Sequence, residues 1–321
     1  MYGGRIDHRA GRANESRQNM HVAELAKNSA TRSVKGNCQS VDLVEDQRSI
    51  GSTTVVGGGD TMSSEEQKIE DCACALLSAA RDRKTIARLS DSIAGLDERV
   101  AYAIQDRTVA LRASRPVGFK LGYTSAAMRA QMNIEHPNYG VLTQDMRIAA
   151  GSECVALQAL IHPLVEPEIA LVVGKDLFGD GFDRSRIYPY VDAVLPALEI
   201  VDTRYHDYRF LAVDNISDNS SGARFITGAP CRPAAVRDLR LLGVLLWSEG
   251  MDLDHGIGAN ALGDPLSALA WLANFLSASG KSIPAGSVVL TGGLTRAYAL
   301  SAGQTFVGEF ADLGVVKVHG K

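Results

Sequence analysis

The chain has 321 residues, a formal net charge of −4 and 45% hydrophobic residues. This composition is typical of a globular protein with one large domain or two ordinary ones, and with a sizeable core. It predicts no membrane span, because no apolar run approaches the roughly 18 residues that a span needs. It also argues against a nucleic-acid partner, since there is no basic stripe to meet a phosphate backbone.

The first 61 residues differ from the rest of the chain. They are polar, mixed in charge and without hydrophobic periodicity, and such a composition cannot offset the entropy lost on ordering. We predict that 1–61 is a disordered extension, or a mis-assigned segment upstream of a natural start at Met62. A targeting peptide is disfavoured, because the segment carries acidic residues and no apolar signal core.

Residues 62–115 are predicted to form a small helical N-terminal part. Ser63 followed by Glu66 resembles a capping box, and an apolar stripe at helical spacing comes directly after it. A second apolar stripe predicts a helix over about 96–114.

From residue 116 to the end, short apolar runs are broken by Gly, Pro, Asn and Asp, and most of these runs are typical of strands. Helical intervals separate them at 125–132, 183–192 and 263–280. The pattern predicts one β-rich catalytic domain over 116–321, and therefore an α+β fold for the chain.

Several common signatures are absent or incomplete. "SGKS" at 279–282 resembles the end of a phosphate-binding loop, but Phe275 replaces the first glycine and Ile283-Pro284 follow, so we predict a helix end there. GxGxxG after a strand, GxSxG and HExxH are all missing, which argues against a dinucleotide enzyme, a serine hydrolase and a zinc protease. The five cysteines are scattered without metal-type CxxC spacing, which predicts reduced thiols in a cytoplasmic protein.

Three glutamates stand inside apolar strands. Glu166 and Glu168 lie two apart, so they project from one face of a strand, and Pro167 between them predicts an edge or an irregularity there. Glu199 lies between Leu198 and Ile200 in a second apolar run. A divalent cation with oxygen ligands, Mg²⁺ or Mn²⁺, would relieve the repulsion between these acids. The alternative is that the pair faces solvent on the exposed side of an amphipathic strand.

Two further stretches could serve the same centre. Lys120 stands in "GFKLGYTS", on a strand that leads into a tight turn, where an ammonium could meet a substrate carboxylate. The stretch 214–221 is dense in Asp, Asn and Ser before a strand. A surface lysine and an ordinary turn are the respective alternatives.

Together these segments resemble the hydratase and decarboxylase branch of the fumarylacetoacetate hydrolase superfamily. The resemblance runs from about residue 69 to 318 and depends on a combination of motifs: "GFKLGYTS", "LIHPLVEPEIA", "PALEIVDTRY", "ISDNSSGARFITG", "ALGDPLSALAWLAN" and "IPAGSVVLTGGL". It implies a distorted β-sandwich or roll built around a metal, like the C-terminal domain of that superfamily, and usually assembled into oligomers.

The resemblance also implies functional residues. Glu166, Glu168 and Glu199 would bind Mg²⁺ or Mn²⁺. The residues expected to take part in catalysis are Lys120, Asn138 and Asp218. The residues expected to bind substrate are Arg204, Ser221, Thr291 and Gly292.

Two reactions of meta-cleavage pathways for aromatic compounds share such a metal site. One is decarboxylation of 4-oxalocrotonate (2-oxohex-3-enedioate) to 2-hydroxypenta-2,4-dienoate through a dienolate stabilised by the metal. The other is hydration of 2-hydroxypenta-2,4-dienoate (2-oxopent-4-enoate) to 4-hydroxy-2-oxopentanoate. Hydratases of this branch place an acid/base aspartate where this chain has Asn138, and an asparagine cannot take a proton from water. "DTRYHDYRF", "ARFITG" and "IPAGSVVLTGGL" also resemble decarboxylases, so decarboxylation is the favoured prediction.

Other features leave alternatives open. Asp264 replaces a histidine that the family often has in "ALGDP", which makes a typical pathway substrate less certain. An acylpyruvate-type hydrolase would need a base to activate water, and His136 is the nearby histidine. Arg204 and Arg209 could bind a second substrate carboxylate or form surface salt bridges. A non-catalytic metal-binding homologue is disfavoured, because a scaffold has no need for Lys120 and three glutamates. The expected partners are a small 2-oxo or 2-hydroxy dienoate and further copies of the chain, with or without the pathway's partner hydratase or decarboxylase.

Overall fold

The computed structural model describes residues 62–321, except residues 133 and 150 and the side chains of 128, 131 and 132. The predicted extension over 1–61 lies outside the described residues. Three helices open the described part: α1 (Ser64–Asp82), α2 (Leu89–Ser92) and α3 (Glu98–Leu111). The predicted capping box is present at the start of α1, where the Ser63 side chain accepts from the backbone of Glu66 and the Glu66 side chain accepts from the backbone of Ser63. The side chain of Asp97 caps α3, which is shorter than predicted.

Twelve strands follow within the described residues. They are β1 (Pro116–Gly122), β2 (Asn138–Thr143), β3 (Cys154–Val155), β4 (Leu164–Val173), β5 (Val191–Val201), β6 (Gly222–Thr227), β7 (Gly243–Ser248), β8 (Met251–Ile257), β9 (Val288–Leu290), β10 (Tyr298–Ala299), β11 (Thr305–Phe310) and β12 (Gly314–Gly320). The helices between them are α4 (Ala126–Met132), α5 (Arg184–Ile187), α6 (Ala212–Ser217) and α7 (Pro265–Ala278). The helix end predicted at 279–282 is confirmed, since Ser279 caps the end of α7.

The strands form two sheets. The larger has the order β2-β1-β9-β4-β5-β6, with β10 paired to β4, and the smaller has the order β3-β12-β11-β7-β8. One cluster of buried side chains joins both sheets and α7, with Ile169 and Leu198 from the larger sheet, Leu246 and Phe306 from the smaller one and Leu269 from the helix. The predicted α+β sandwich with a helical N-terminal part is therefore confirmed.

Pro167 lies in an interior strand, so of the two expectations at this position the sheet edge is wrong, and an irregularity in the pairing is found instead. Strand β4 pairs with β5 in continuous register from Leu164 to Val172, and the bulge falls at Val172/Val173. On its other side, β4 pairs with β10 up to Val165 and with β9 only from Ala170. The loop after β9 fills the interval, and the amide of Leu294 donates to the carbonyl of Pro167 at 2.9 Å. A proline is tolerated there because the ladder is interrupted on that side.

The described helices include none that is both long and apolar enough to cross a membrane. Cys72, Cys154 and Cys231 are free thiols, and Cys38 lies outside the described part of the chain.

Candidate metal centre and active site

The three glutamates predicted as ligands meet on the larger sheet. Glu166 stands directly opposite Glu199 in the antiparallel register of β4 and β5, and Glu168 follows two residues along the same face. One carboxylate oxygen from each of the three lies within 4.8 Å of the others. Glu168 and Glu199 are completely buried, whereas Glu166 is half-buried.

The electrostatics of this cluster are unfavourable without a cation. Burial, with Glu199 adding to it, raises the pKa of Glu166 to about 7 despite the opposing effect of Lys120. Burial and the charge of Glu199 also raise the pKa of Glu168 well above its ordinary value. Ionised carboxylates therefore destabilise one another here, as buried like charges do.

The donor set fits a divalent cation. Oε1 of Glu168 and Oε1 of Glu199 are buried and accept no hydrogen bond from the described residues, and Oε2 of Glu199 is buried with the ammonium of Lys120 3.2 Å away. Three carboxylates and the ammonium of Lys120 leave two net negative charges, which one divalent cation would cancel. Carboxylate oxygens are the ligands that Mg²⁺ and Mn²⁺ prefer. Glu166, Glu168 and Glu199 are thus the residues that would hold the metal.

Lys120 is buried beside this cluster. It comes from β1, and its Nζ lies 3.2 Å from Oε2 of Glu199 and donates to the carbonyl of Ser220 at 3.0 Å. Burial lowers the pKa of Lys120, but the charges of Glu199, Glu166 and Glu168 outweigh burial, so the pKa lies above its ordinary value. The side chain is therefore a fixed cation at the metal centre, and the alternative of a surface lysine is wrong.

The stretch 214–221 forms more than an ordinary turn. Asn219, Ser220 and Ser221 all have positive φ, of 51°, 51° and 57°. Three consecutive non-glycine residues in this region are strained, and such strain is concentrated at functional sites. The turn brings the carbonyl and the hydroxyl of Ser220 to Lys120. A glycine at 122 leaves room for this turn, because a Cβ there would lie 2.5 Å from Oγ of Ser220.

Asn138 takes part in a buried amide network. Its Nδ2 donates to Oδ1 of Asn215 at 2.8 Å, and its Oδ1 accepts from the hydroxyl of Ser220 at 3.0 Å. Nδ2 of Asn215 in turn donates to the hydroxyl of Ser221 at 2.9 Å. Asn138 thus orients the residues around Lys120, and Asn215 is a member of the site that was predicted only as part of the stretch 214–221, without a role of its own.

The N-terminal helices support the same network. Nε2 of the fully buried Gln105 on α3 donates to the carbonyl of Tyr139 at 2.9 Å and to the carbonyl of Ile216 at 3.0 Å. These two carbonyls adjoin Asn138 and Asn215 in the chain. Nothing in the hydrophobic pattern of α3 predicted this contact, because it depends on how α3 packs against β2 and α6.

Thr291 and Gly292 hold the strand segment and the carboxylate of the buried Glu168. The amide of Gly292 donates to Oε2 of Glu168 at 2.6 Å, and the hydroxyl of Thr291 donates to the carbonyl of Ile169 at 2.8 Å. Gly292 has a φ of 107°, and a Cβ at this position would lie 2.0 Å from Oγ1 of Thr124. Only glycine fits this backbone. Both residues were predicted to bind substrate, and the structure places them beside the three glutamates.

A cavity of about 710 Å³ opens over the cluster. At its buried end it is lined by Lys120, Glu166, Asn215, Ser220 and Ser221. The rim set, defined here as Asp254, His255 and Arg296, lines its exposed side.

Arg204 and Asp218 were predicted to act on substrate, but the structure does not bring them to the cavity. They form a buried ion pair with each other through Nε of Arg204 and Oδ1 of Asp218. The hydroxyl of Thr203 also donates to Asp218 at 2.9 Å, and Nη1 of Arg204 donates to the carbonyl of Asp202 at 2.6 Å. These hydrogen bonds occupy the polar groups of Arg204 and Asp218. Because Arg204 follows β5 and Asp218 precedes the strained turn, the ion pair holds the end of β5 against that turn.

Two other residues considered from the sequence also lie away from the cavity. Asp264 caps α7 by accepting from the amide of Leu266 at 2.9 Å, and it is not among the residues that line the cavity. Nε2 of His136 lies 3.3 Å from Glu98, and its ring packs near Phe275.

Three carboxylates that are placed to share a divalent cation, a fixed lysine beside them and an open cavity over them are the arrangement expected of a metal-dependent enzyme. Residues 115–319 match the family described as fumarylacetoacetate (FAA) hydrolase, C-terminal. Because this match covers more than half of the chain, the chain belongs to the fumarylacetoacetate hydrolase family, as its motifs predicted.

Its relatives include decarboxylases and hydratases. The chain is 39% identical over 222 residues to a 4-oxalocrotonate decarboxylase of Pseudomonas putida, a match covering 68% of this chain and 84% of the relative. It is 36% identical over 257 residues to a 2-keto-4-pentenoate hydratase of Paraburkholderia xenovorans (strain LB400), covering 79% and 95%. A solved 4-oxalocrotonate decarboxylase from Pseudomonas putida G7, complexed with magnesium and adipate, aligns with a TM-score of 0.77 at 32% identity, over 82% of this chain and 100% of that one.

Proposed function

We propose that this chain is a divalent-metal-dependent lyase that decarboxylates 4-oxalocrotonate (2-oxohex-3-enedioate) to 2-hydroxypenta-2,4-dienoate. The observation that carries the proposal is the pairing of a metal-type glutamate cluster with a cavity at whose far side the described residues offer no free acid/base carboxyl group. Among the described residues that line it, the carboxylates are Glu166, in the cluster, and Asp254, which is tied to its neighbours in the rim set.

Decarboxylation of this substrate needs an electron sink and does not need a general base. The bond between the distal carboxylate and its neighbouring carbon breaks, and its electron pair passes through the conjugated carbons to the 2-oxo oxygen. Carbon dioxide leaves, and the resulting enolate oxygen takes one proton to give the dienol. A divalent cation, when bound by the three glutamates, would act as a Lewis acid toward the 2-oxo group.

The residues of the chain have supporting roles in this reaction. Lys120 places a positive charge next to the cluster, where negative charge develops on the 2-oxo oxygen. Ser221 lines the cavity and can hydrogen-bond the substrate, and Asn138 positions it through Asn215. Thr291 and Gly292 act through Glu168, and Arg204 with Asp218 acts by holding the turn.

Hydration of 2-hydroxypenta-2,4-dienoate is the second candidate. It would require a group at the far side of the cavity that delivers a proton and activates water. His255, in the rim set, is a titratable side chain that lines the cavity, and the similarity to hydratases is nearly as high as that to decarboxylases. The buried amide of Asn138 at the position of the hydratase aspartate favours decarboxylation.

An acylpyruvate-type hydrolase has less support. His136, the histidine considered as its base, is engaged outside the cavity. A homo-oligomer and an assembly with the pathway's partner hydratase remain predictions from the resemblance, and a cytoplasmic location remains a prediction from the cysteine pattern.

The test is to incubate the purified chain and Mg²⁺ with 2-oxohex-3-enedioate and, separately, with 2-hydroxypenta-2,4-dienoate. We expect carbon dioxide from the first compound, no activity after chelation, and no consumption of the second. Conversion of the second compound to a hydroxy-oxo acid would establish the hydratase instead. Glu168→Gln should remove the activity, whereas Glu309→Gln, at an exposed position on β11, serves as the matched control.

A further inference from the structure

The rim set places a guanidinium at the mouth of the cavity. Arg296 lies in the loop between β9 and β10, and its side chain is 80% exposed. Its Nη2 donates to the hydroxyl of Tyr298 at 2.8 Å, and its Nε lies 3.5 Å from Asp254. The guanidinium also lies 5.4 Å from the centre of the Tyr298 ring. These contacts orient the side chain and leave much of it open to the cavity mouth.

We propose that Arg296 binds the distal carboxylate of the substrate, so that the site takes 2-oxo dicarboxylates in preference to 2-oxo monocarboxylates. The inference rests on the proposed function for one point, namely that the 2-oxo acid end of the substrate lies at the glutamate cluster.

The spacing along the chain suits a short diacid. A Cβ on Gly293 would lie 3.2 Å from Oε2 of Glu166, so this residue touches the metal centre. Arg296 comes three residues later, and its Cα is therefore no more than about 11 Å from that of Gly293. One loop thus contacts the metal centre at its start and presents a cation at its end.

The other arginines that could bind the second carboxylate are placed elsewhere. The guanidinium of Arg204 is buried against Asp218, and Arg209 is exposed outside the cavity. Of the described residues that line the cavity, Lys120 and Arg296 carry a permanent positive charge, and Lys120 is engaged at the glutamate cluster. Arg296 also pairs with Asp254, but at 3.5 Å and with its side chain 80% exposed, so it is the cation available to the distal end of the substrate, with His255 as the titratable alternative.

The direction of electron flow fixes the kinetic signature. As carbon dioxide forms, negative charge leaves the distal carboxylate and moves toward the 2-oxo oxygen. A contact with Arg296 is consequently stronger in the bound substrate than in the transition state, so it contributes to binding and not to kcat. Loss of the guanidinium should raise KM for the diacid and leave kcat unchanged or higher.

The experiment compares two probes that differ only in the distal carboxylate, 2-oxoadipate and 2-oxohexanoate, by calorimetric binding to the Mg²⁺-loaded protein. We expect the native chain to prefer 2-oxoadipate by roughly tenfold, a typical effect of one charge-assisted hydrogen bond. Arg296→Met should abolish the preference by weakening 2-oxoadipate alone, and Arg296→Lys should keep part of it. Arg209→Met, an exposed arginine outside the cavity, is the matched control and should keep it fully.

Unchanged discrimination in Arg296→Met would overturn the inference, as would loss of discrimination in His255→Gln with Arg296 intact. A fall in kcat in Arg296→Met without a rise in KM would also contradict it. Binding is measured without turnover, so the two proposals are tested separately. Failure to decarboxylate the diacid would refute the proposed function, and the calorimetry would still show whether diacid binding depends on Arg296.

Discussion

Binding of Mg²⁺ to this protein should depend on pH in a way that follows from Glu166. The pKa of Glu166 in the metal-free protein is raised from 4.5 to about 7. At about 1.4 kcal/mol per pKa unit, this shift corresponds to on the order of 3 kcal/mol. Because the folded protein binds this proton more tightly than the unfolded chain does, its free energy of unfolding falls as the pH rises from 4.5 to about 7.

Mg²⁺ reverses this trend. The glutamates must lose their protons to become ligands, so metal affinity should rise with pH by about tenfold per unit for each proton displaced. Stabilisation by a saturating ligand grows with its affinity. We therefore expect the rise in Tm on adding Mg²⁺ to be small near pH 5 and large near pH 8.

Two measurements check this prediction. Thermal unfolding with and without Mg²⁺ across this pH range gives the stabilisation, and titration calorimetry in buffers of different ionisation enthalpy counts the protons released. Near pH 6 we expect about one proton or more per Mg²⁺, because the pKa of Glu168 is raised as well. Glu166→Gln should reduce the count, whereas the exposed Glu309→Gln should not. Mg²⁺ binding without proton release at that pH would refute the electrostatic account of the cluster.

Three substitutions test the packing around the site. Arg204→Met leaves the carboxylate of Asp218 buried without its partner, so chemical denaturation should show a loss of about 3 to 5 kcal/mol. Gln105→Leu removes the donor from two buried carbonyls; we expect a loss of about 2 kcal/mol in unfolding free energy and a lower kcat, with Mg²⁺ affinity retained in calorimetry. Gly292→Ala puts a Cβ 2.0 Å from a side-chain oxygen, so it should lower the free energy of unfolding by more than about 2 kcal/mol and weaken Mg²⁺ binding. The control is Gly286→Ala, where φ is also positive but a Cβ would meet nothing within 4 Å. It should cost about 1 kcal/mol and leave Mg²⁺ binding intact. Wild-type stability in the first two variants, or equal effects of the two alanine variants, would contradict these assignments.

The candidate metal ligands could be recognised in the sequence because acids inside apolar strands are rare. Glu166, Glu168 and Glu199 each interrupt an apolar run, and the strand period places the first two on one face. The sequence predicted that Glu199 shares a cation with the other two acids, but it did not predict that Glu199 stands directly opposite Glu166. That position depends on the register of β4 and β5, which is set by long-range pairing. For the same reason, the sequence could not decide whether Pro167 lies at a sheet edge or at an irregularity inside the sheet.

Residues that act through tertiary contacts were less predictable. Asn138 was noticed for its residue type, but its bonds to Asn215 and Ser220 exist because β2 packs against α6 and the strained turn. Arg204 was predicted to bind substrate because it is a cation in "DTRYHDYRF". A sequence cannot show that Asp218, fourteen residues later, forms an ion pair with it. Arg296 stands in an irregular loop without any period, so its place at the cavity mouth follows only from the paths of β9 and β10.

The most direct test of the central claim uses 2-oxohex-3-enedioate isotopically labelled at its distal carboxylate. With Mg²⁺ bound, the native chain should release the label as carbon dioxide and form unlabelled 2-hydroxypenta-2,4-dienoate, and Glu199→Gln should release none. Label that remains in the organic product while the substrate is consumed, or release of labelled carbon dioxide that persists after chelation, would contradict a metal-dependent decarboxylase.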